Sequence, residues 1–173
     1  ETDILNDASR TPEFLARNPN GKVPLLEITD HGETRTLAES NAMLCYLAEG
    51  THLMPDDRWQ RAQVMQWLFF EQYSHEPYIA TVRWWIHYLH KQDEWKDKIA
   101  EAMKKGYAAL GVMEQQLAKT PFLAGDAYTV ADIALYAYTH VAHQGGYSLD
   151  AYPAVRRWLA RVERQPGYVA MVS

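Results

Sequence analysis

The sequence predicts two consecutive regions of different class, a mixed α/β segment over residues 1–50 and an all-helical segment over residues 57–173. Short apolar runs separated by turn residues in the first segment indicate strands. Beyond residue 58, apolar residues recur at helical spacing without strand alternation, which indicates helices. With 173 residues, of which 47% are hydrophobic, the chain is long enough to bury a core.

Turn and cap residues set the element boundaries in the first segment. The turn Asp30-His31-Gly32-Glu33 predicts a hairpin between two strands. Gly50 suits the position just past a helix C-terminus, and Pro55 marks residues 51–57 as a linker. The predicted elements are a helix over Pro12–Arg17, strands over Val23–Ile28 and Thr34–Leu37, and a helix over Ser40–Glu49.

Helix signals divide the second segment. Two long helices, broken near Gln92-Asp93, are predicted between Arg58 and Lys119, and Thr120-Pro121 ends the second. The stretch Thr129-Val130-Ala131-Asp132 has the form of a capping box. It predicts a helix to about His143, with Tyr128 and Ile133 placed for a hydrophobic staple, and a last helix that begins at Pro153 and stops before Pro166-Gly167.

The net charge and the cysteine content of the chain limit which binding partners and which cellular compartment are expected. The net charge is −5 and like charges form no long run, so neither nucleic acid nor an anionic membrane is an expected partner. No transmembrane span or signal peptide is predicted. The single cysteine, Cys45, excludes an internal disulfide framework and fits a reducing compartment, with the cytoplasm as the expected location.

Lys22-Val23-Pro24 predicts a site for an extended ligand. A residue before proline adopts extended geometry, and proline belongs at the start or edge of a strand. The N–H and C=O of Val23 are therefore expected to be free for a peptide-like ligand, and a cis Val23-Pro24 bond would direct them outward. Lys22 adds a cation that suits a carboxylate.

Glu39-Ser40 stands where a predicted helix begins. Alone, the pair favours an ordinary helix start in which Ser40 caps the helix and Glu39 complements its dipole. Together with Lys22-Val23-Pro24 it favours a ligand site, where Ser40 and the helix N-terminus bind a carboxylate and Glu39 binds an ammonium. Such a site suits an α-amino-acid head on a short peptide with a second carboxylate.

Other reactive side chains have structural interpretations. Cys45 lies between Leu44 and Leu47 and is expected to be a buried core residue rather than a nucleophile. Asp132 is expected to be a helix cap. The pairs His87/His90 and His140/His143 have a spacing that could share a helix face, but neither has a third ligand, so no metal site is predicted.

The peptide that these motifs describe fits glutathione, and the chain resembles the cytosolic glutathione transferase family, of a bacterial type. The resemblance covers nearly the whole chain and rests on these blocks in this order: 9–14, 18–24, 37–47, 122–125 and 129–134. It implies a thioredoxin-like domain, lacking its first strand and helix, followed by an all-helical domain. The chain is expected to start near the end of the family's second strand, around Thr2-Asp3-Ile4, so the catalytic Tyr, Ser or Cys is expected upstream of residue 1.

The resemblance also implies an activity and a set of contacts. Glutathione would be the co-substrate, its thiolate attacking a small apolar electrophile in detoxification, with no metal. Val23 and Pro24 would align the cysteinyl part, Glu39 and Ser40 the γ-glutamyl head, and Lys22 the glycyl carboxylate. Two readings stay open beside conjugation, a non-catalytic binding or assembly module and a glutathione-dependent thiol reductase.

The aromatic-rich stretch from Trp59 to Trp95 is expected to serve mainly the core. In the resembled family this helix also borders the electrophile pocket and the dimer interface, so one or two of Tyr73, Tyr78 and Trp84 are expected to line the pocket. The stretch carries more large apolar side chains than one helical face can bury in one subunit, which predicts a homodimer.

Overall fold

The structure, a computed structural model, describes residues 2–171. Residues up to Glu49 form one compact unit and residues from Gly50 onward form a second. The first unit contains a small sheet flanked by helices, and the regular elements of the described part of the second are helices joined by loops. This confirms the predicted fold class, a thioredoxin-like domain followed by an all-helical domain.

The first unit is organised around an antiparallel hairpin. Strand β1 (Leu25–Asp30) pairs with β2 (Glu33–Ala38) in a register that runs from Leu25 opposite Ala38 to Asp30 opposite Glu33. His31 and Gly32 form the loop, with φ values of 49° and 83°, as a tight type I′ turn requires. The hairpin is as expected, although β1 begins two positions later than Val23, since Pro24 has no N–H to donate to a ladder.

Two helices and two short turns complete the first unit. Helix α1 (Pro12–Arg17) is capped by Thr11, and α2 (Ser40–Ala48) is followed by Gly50 with φ of 75°. The expected end of a strand around Thr2-Asp3-Ile4 is wrong. Asp3 Oδ1 instead accepts from the backbone N–H groups of residues 5 and 6, and this caps a 3₁₀ turn, Ile4–Asn6, which is followed by a second one, Ala8–Arg10.

The first long helix of the second unit contains two π-helical turns. Helix α3 (Arg58–Phe70) continues through the turn Glu71–His75 into α4 (Glu76–Arg83) and a second π turn, Trp84–Tyr88. Pro77 cannot donate a hydrogen bond to the preceding turn, which accounts for the wider turn before it. The chain leaves helical geometry after Tyr88, so the predicted break near Gln92-Asp93 is confirmed.

Three further helices complete the described part of the second unit. They are α5 (Lys96–Leu117), α6 (Val130–Thr139) and α7 (Pro153–Val162). Helix α6 was expected to reach about His143 but ends at Thr139, and a separate 3₁₀ turn, Ala142–Gly145, follows. Gly146, with φ of 79°, ends that turn. No helix of the described residues is both long and apolar enough to span a membrane.

Asp132 is the polar centre of the helical unit. Its carboxylate is fully buried and accepts hydrogen bonds from the backbone of Leu123 (3.0 Å) and Thr129 (3.0 Å) and from the indole of Trp158 (2.9 Å). The Thr129–Asp132 capping box is present, as predicted. Burial raises the pKa of Asp132, while these donors oppose that rise. The side chain ties the start of α6 to α7 and to the loop before α6.

His75 is fully buried at the end of the first π turn. Its Nε2 lies 2.8 Å from Thr139 Oγ1, which itself donates to Leu135 O over 2.6 Å. Because the Thr139 hydroxyl proton is donated to Leu135 O, His75 Nε2 must be the donor to Thr139 Oγ1. Nε2 therefore carries the imidazole proton, and Nδ1 carries none. Nδ1 has no hydrogen-bond partner within the described part of the chain, and burial lowers the pKa of His75 to about 3.

Lowering the pH from about 7.5 to about 5 is expected to cost about 2 kcal/mol of stability through His75. The unfolded chain binds a proton at this histidine below pH ~6.5, whereas the folded protein, with a pKa of about 3, does not. The stability is therefore fully present above pH ~6.5 and falls by about 1.4 kcal/mol per unit below it. His75→Gln keeps a polar group toward Thr139 without the titration. In urea unfolding, the wild type should lose about 2 kcal/mol more than this variant, and equal losses would contradict the assignment.

Candidate functional site

Val23 stands just outside the hairpin of the first unit, two positions before β1. It is joined to Pro24 by a cis peptide bond and is 40% exposed. No hydrogen bond from its backbone to another described residue is found. Lys22 beside it is also exposed. The backbone N–H and C=O of Val23 are therefore available to a ligand, together with a nearby cation.

Asn18 holds the loop that leads to Val23. This residue ends α1 and is 4% exposed. Its Nδ2 donates to Lys22 O over 2.7 Å, and its Oδ1 accepts from Asn20 N over 3.2 Å. Sequence reasoning did not assign a role to Asn18, although an Asn after a helix and before Pro19 is a typical loop-forming residue.

Glu39 has an unusual backbone conformation at the start of α2. Its φ of 69° and ψ of 111° lie in a region that residues other than glycine rarely adopt. Such a conformation costs about 1–3 kcal/mol and is found preferentially at functional sites. Glu39 occupies the N-cap position, so the ordinary interpretation in which Ser40 caps the helix is wrong. The Glu39 side chain is exposed and makes no capping hydrogen bond.

The register of the hairpin brings the two motifs together. Leu25 pairs with Ala38, and this pair closes the ladder at the end opposite the turn. Pro24 precedes Leu25 and Glu39 follows Ala38, so Val23-Pro24 and Glu39-Ser40 emerge side by side from the same end. Paired strands lie about 5 Å apart. A peptide-sized ligand can therefore contact the Val23 backbone and the N-terminus of α2 simultaneously.

Comparison with known proteins shows which family the chain belongs to. The family model for the glutathione S-transferase N-terminal domain matches residues 1–49, and that for the C-terminal domain matches residues 68–166. The chain belongs to the glutathione S-transferase family. The predicted resemblance is thus confirmed.

The chain has relatives whose names give more than one activity. It is 33% identical to the disulfide-bond oxidoreductase YfcG of Escherichia coli (strain K12), over 96% of this chain and 78% of that protein. A crystal structure of a glutathione S-transferase from Pseudomonas fluorescens matches with 49% identity and a TM-score of 0.95, covering 99% of this chain and 84% of the other. A glutathione transferase from Burkholderia graminis, crystallised with two glutathione molecules per subunit, matches with 28% identity and a TM-score of 0.82, covering 95% and 72%.

The three aromatic residues predicted to line the electrophile pocket differ in how much of each is exposed to solvent. Tyr73, in the first π turn, is 85% exposed. Tyr78 is half-buried, with the Lys105 ammonium 5.3 Å from its ring centroid. Trp84 is half-buried and packs against Tyr88 with centroids 5.1 Å apart. All three lie on the helical segment from α3 to the second π turn, and their role in a pocket stays a prediction.

Cys45 and the two histidine pairs lie in local settings that differ from those the sequence suggested. Cys45 was expected to be buried but is half-buried, because only Met43 and Ala48 of α2 reach the core. His87 lies in the second π turn, whereas His90, with φ of 53°, lies beyond it, so the pair does not share a helix face. His140 and His143 are likewise split by the end of α6. Among residues 2–171, no group of three or more His, Cys, Asp or Glu side chains could hold a metal ion.

Proposed function

We propose that the protein binds glutathione and that the glutathione thiolate attacks an apolar electrophile. The hairpin register carries the proposal, since it brings the free backbone of Val23 to the strained start of α2. Membership of the glutathione S-transferase family and the glutathione-bound relative from Burkholderia graminis support it.

Each contact follows from the chemistry of the ligand. The N–H and C=O of Val23, ahead of Pro24, pair with the backbone of the cysteinyl residue in an extended, strand-like manner. Ser40 and the N-terminus of α2 bind the γ-glutamyl carboxylate, and Glu39 binds its ammonium. Lys22 binds the glycyl carboxylate. Tyr73, Tyr78 and Trp84 are the candidates for the apolar electrophile.

The proposed step forms a bond between glutathione sulfur and an electrophilic carbon, from which a leaving group such as halide departs. Sulfur must be a thiolate, and a free thiol with pKa near 8.5 is only a few per cent ionised at pH 7. The proposed contacts of Lys22, Val23, Glu39 and Ser40 hold the ends and backbone of glutathione and not its sulfur. They position the reactant, and lowering the thiol pKa requires a further hydrogen-bond donor.

The test measures conjugation by the full-length protein with glutathione and a chromogenic aryl halide over a range of pH. Turnover that follows an ionisation below the pKa of free glutathione would support conjugation. Glutathione binding measured by calorimetry in the same preparation separates a failure of binding from a failure of chemistry. A folded protein that neither binds glutathione nor forms the conjugate would overturn the proposal.

A second candidate is glutathione-dependent disulfide reduction, favoured by the 33% identity to the disulfide-bond oxidoreductase YfcG over 96% of this chain. In that reaction two glutathione molecules are oxidised to glutathione disulfide while a small disulfide is reduced to two thiols. The same preparation, coupled to glutathione reductase and NADPH, would reveal it. Reduction without aryl conjugation would favour this activity, and binding without either turnover would favour a binding module.

We also propose that the protein is a homodimer. Exposed residues on one face of α3 and the following turn recur at alternating spacings of three and four, the pattern of a helix-packing seam. Trp59, Phe69 and Tyr73 in this seam are 71%, 67% and 85% exposed, an unusual density of exposed aromatic surface. The seam consists of Trp59, Ala62, Gln66, Phe69 and Tyr73.

Phe69→Glu is expected to convert the dimer to monomer, because a desolvated carboxylate in an apolar interface is costly. Light scattering on the eluting protein at micromolar concentration measures the mass. Val169→Glu is the control, since Val169 is exposed outside the seam and its variant should remain dimeric. A wild type that shows only the monomer mass would contradict the proposal.

A further inference from the structure

The Asn18 side chain lies behind the loop that carries Lys22 and Val23. It is almost fully buried and makes two hydrogen bonds to the loop. Its Nδ2 donates to Lys22 O, and its Oδ1 accepts from Asn20 N. The Asn18 carbonyl accepts a third bond, from Gly21 N over 2.9 Å. The loop is thus folded around this one residue.

The bond to Lys22 O fixes the direction of the Val23 N–H. Lys22 C=O and Val23 N–H belong to one peptide unit, which is planar. Within residues 2–171 only the Val23–Pro24 bond is cis, so this unit is trans and its C=O and N–H point in opposite directions. Since the buried Asn18 amide holds the carbonyl from the interior side, the N–H points away from the interior.

Other contacts of the loop do not set this plane. Arg10 Nη1 donates to Asn20 O over 3.1 Å, and a Cβ at Gly21 would lie 2.4 Å from that nitrogen, so these residues fix the outer part of the loop. No other hydrogen bond to Lys22 O is found among the described residues. The orientation of the Lys22–Val23 peptide therefore depends on Asn18.

We propose that Asn18 is a positioning residue for glutathione, which holds the Lys22–Val23 peptide so that Val23 N–H meets the cysteinyl carbonyl of the ligand. The inference rests on the proposed function, since it deepens the role of the same site. A hydrogen bond to a peptide carbonyl also polarises the unit and strengthens its N–H as a donor. Asn18 acts without touching glutathione.

The test measures glutathione affinity by calorimetry in the full chain, at equal folded concentration checked by circular dichroism. Asn18→Ala is expected to weaken binding by about tenfold, as loss of a positioned hydrogen bond would. Asn18→Asp keeps an acceptor for Asn20 N but loses the donor to Lys22 O, and it should weaken binding similarly. Asn20→Ala is the matched control, since the Asn20 side chain makes no hydrogen bond to another described residue. This variant should bind glutathione within about twofold of the wild type.

A double-mutant cycle separates positioning from general stability. The affinity penalty of Lys22→Ala should shrink in the Asn18→Ala background, because the two residues act through one peptide. The penalty of Ser40→Ala, on α2, should persist unchanged in that background. A purely structural Asn18 would leave both penalties the same.

Either wild-type affinity in both Asn18 variants or additivity in both cycles would overturn the inference while leaving the proposed function intact. A wild-type protein that does not bind glutathione would instead overturn the proposed function. The wild-type titration therefore distinguishes the two failures.

Discussion

Ser40→Ala is expected to weaken glutathione binding by about tenfold to a hundredfold, or about 1.5–3 kcal/mol. In the proposed site, the variant removes a hydroxyl that would donate to the γ-glutamyl carboxylate in a charge-assisted hydrogen bond at a helix N-terminus. Glu39→Gln should weaken binding through the ammonium of the same head group. At the start of α2, Glu39 is exposed and Ser40 is half-buried, and neither belongs to the buried core.

Calorimetric titration with glutathione checks these changes. Controls are available at the other end of the same strands. Thr34→Ala removes a hydroxyl that bonds Thr29 near the turn, and Glu33→Gln neutralises a carboxylate there. Both controls should bind glutathione within about twofold of the wild type. Unchanged affinity in both Ser40→Ala and Glu39→Gln would exclude this site.

Local sequence signals account for the parts of the fold that were predictable. A two-residue loop with Gly32 flanked by strand-forming residues determines a hairpin with little help from the rest of the chain. The capping box of Thr129 and Asp132 likewise marks a helix start within a few residues. These features depend on neighbours in sequence, which a single chain displays directly.

Features that depend on the exact path of the backbone, or on which face of a helix is covered, were not predictable. The bond from Asn18 to Lys22 O exists because α1 ends against the loop, and the positive φ of Glu39 results from the path between β2 and α2. The apolar neighbours of Cys45 in sequence suit a core position, yet α2 buries only Met43 and Ala48. The end of α6 at Thr139 likewise has no glycine or proline to mark it, since Gly145 lies six positions further on.

The candidate site depends both on local sequence motifs and on the strand register. Lys22-Val23-Pro24 and Glu39-Ser40 were identifiable as motifs because proline, serine and charged residues have strong local preferences. Their closeness depended on the strand register, which pairs Leu25 with Ala38. A shift of one residue would exchange the faces of β2 and misplace Ser40. Structure was therefore needed to show that both motifs leave the same end of the hairpin.

Asp132→Ala is expected to lower the free energy of unfolding by about 3–5 kcal/mol, the largest effect of any single change proposed. The substitution leaves the N–H groups of Leu123, Thr129 and the Trp158 indole without their acceptor. Each buried donor that loses its partner costs about 1–3 kcal/mol. Domains of this size are stable by about 5–15 kcal/mol, so much of the folded state's margin depends on this carboxylate.

Urea unfolding followed by circular dichroism measures the loss. Asp126→Ala is the matched control, because Asp126 lies exposed in the loop before α6 and makes no hydrogen bond within residues 2–171. This variant should change stability by less than about 0.5 kcal/mol. Asp132→Asn keeps one oxygen acceptor for Leu123 and Trp158 but turns an amide toward Thr129 N, so its loss should be intermediate. A loss below about 1 kcal/mol for Asp132→Ala would show that water or rearranged groups satisfy these donors, and that the carboxylate does not hold α6, α7 and the preceding loop together.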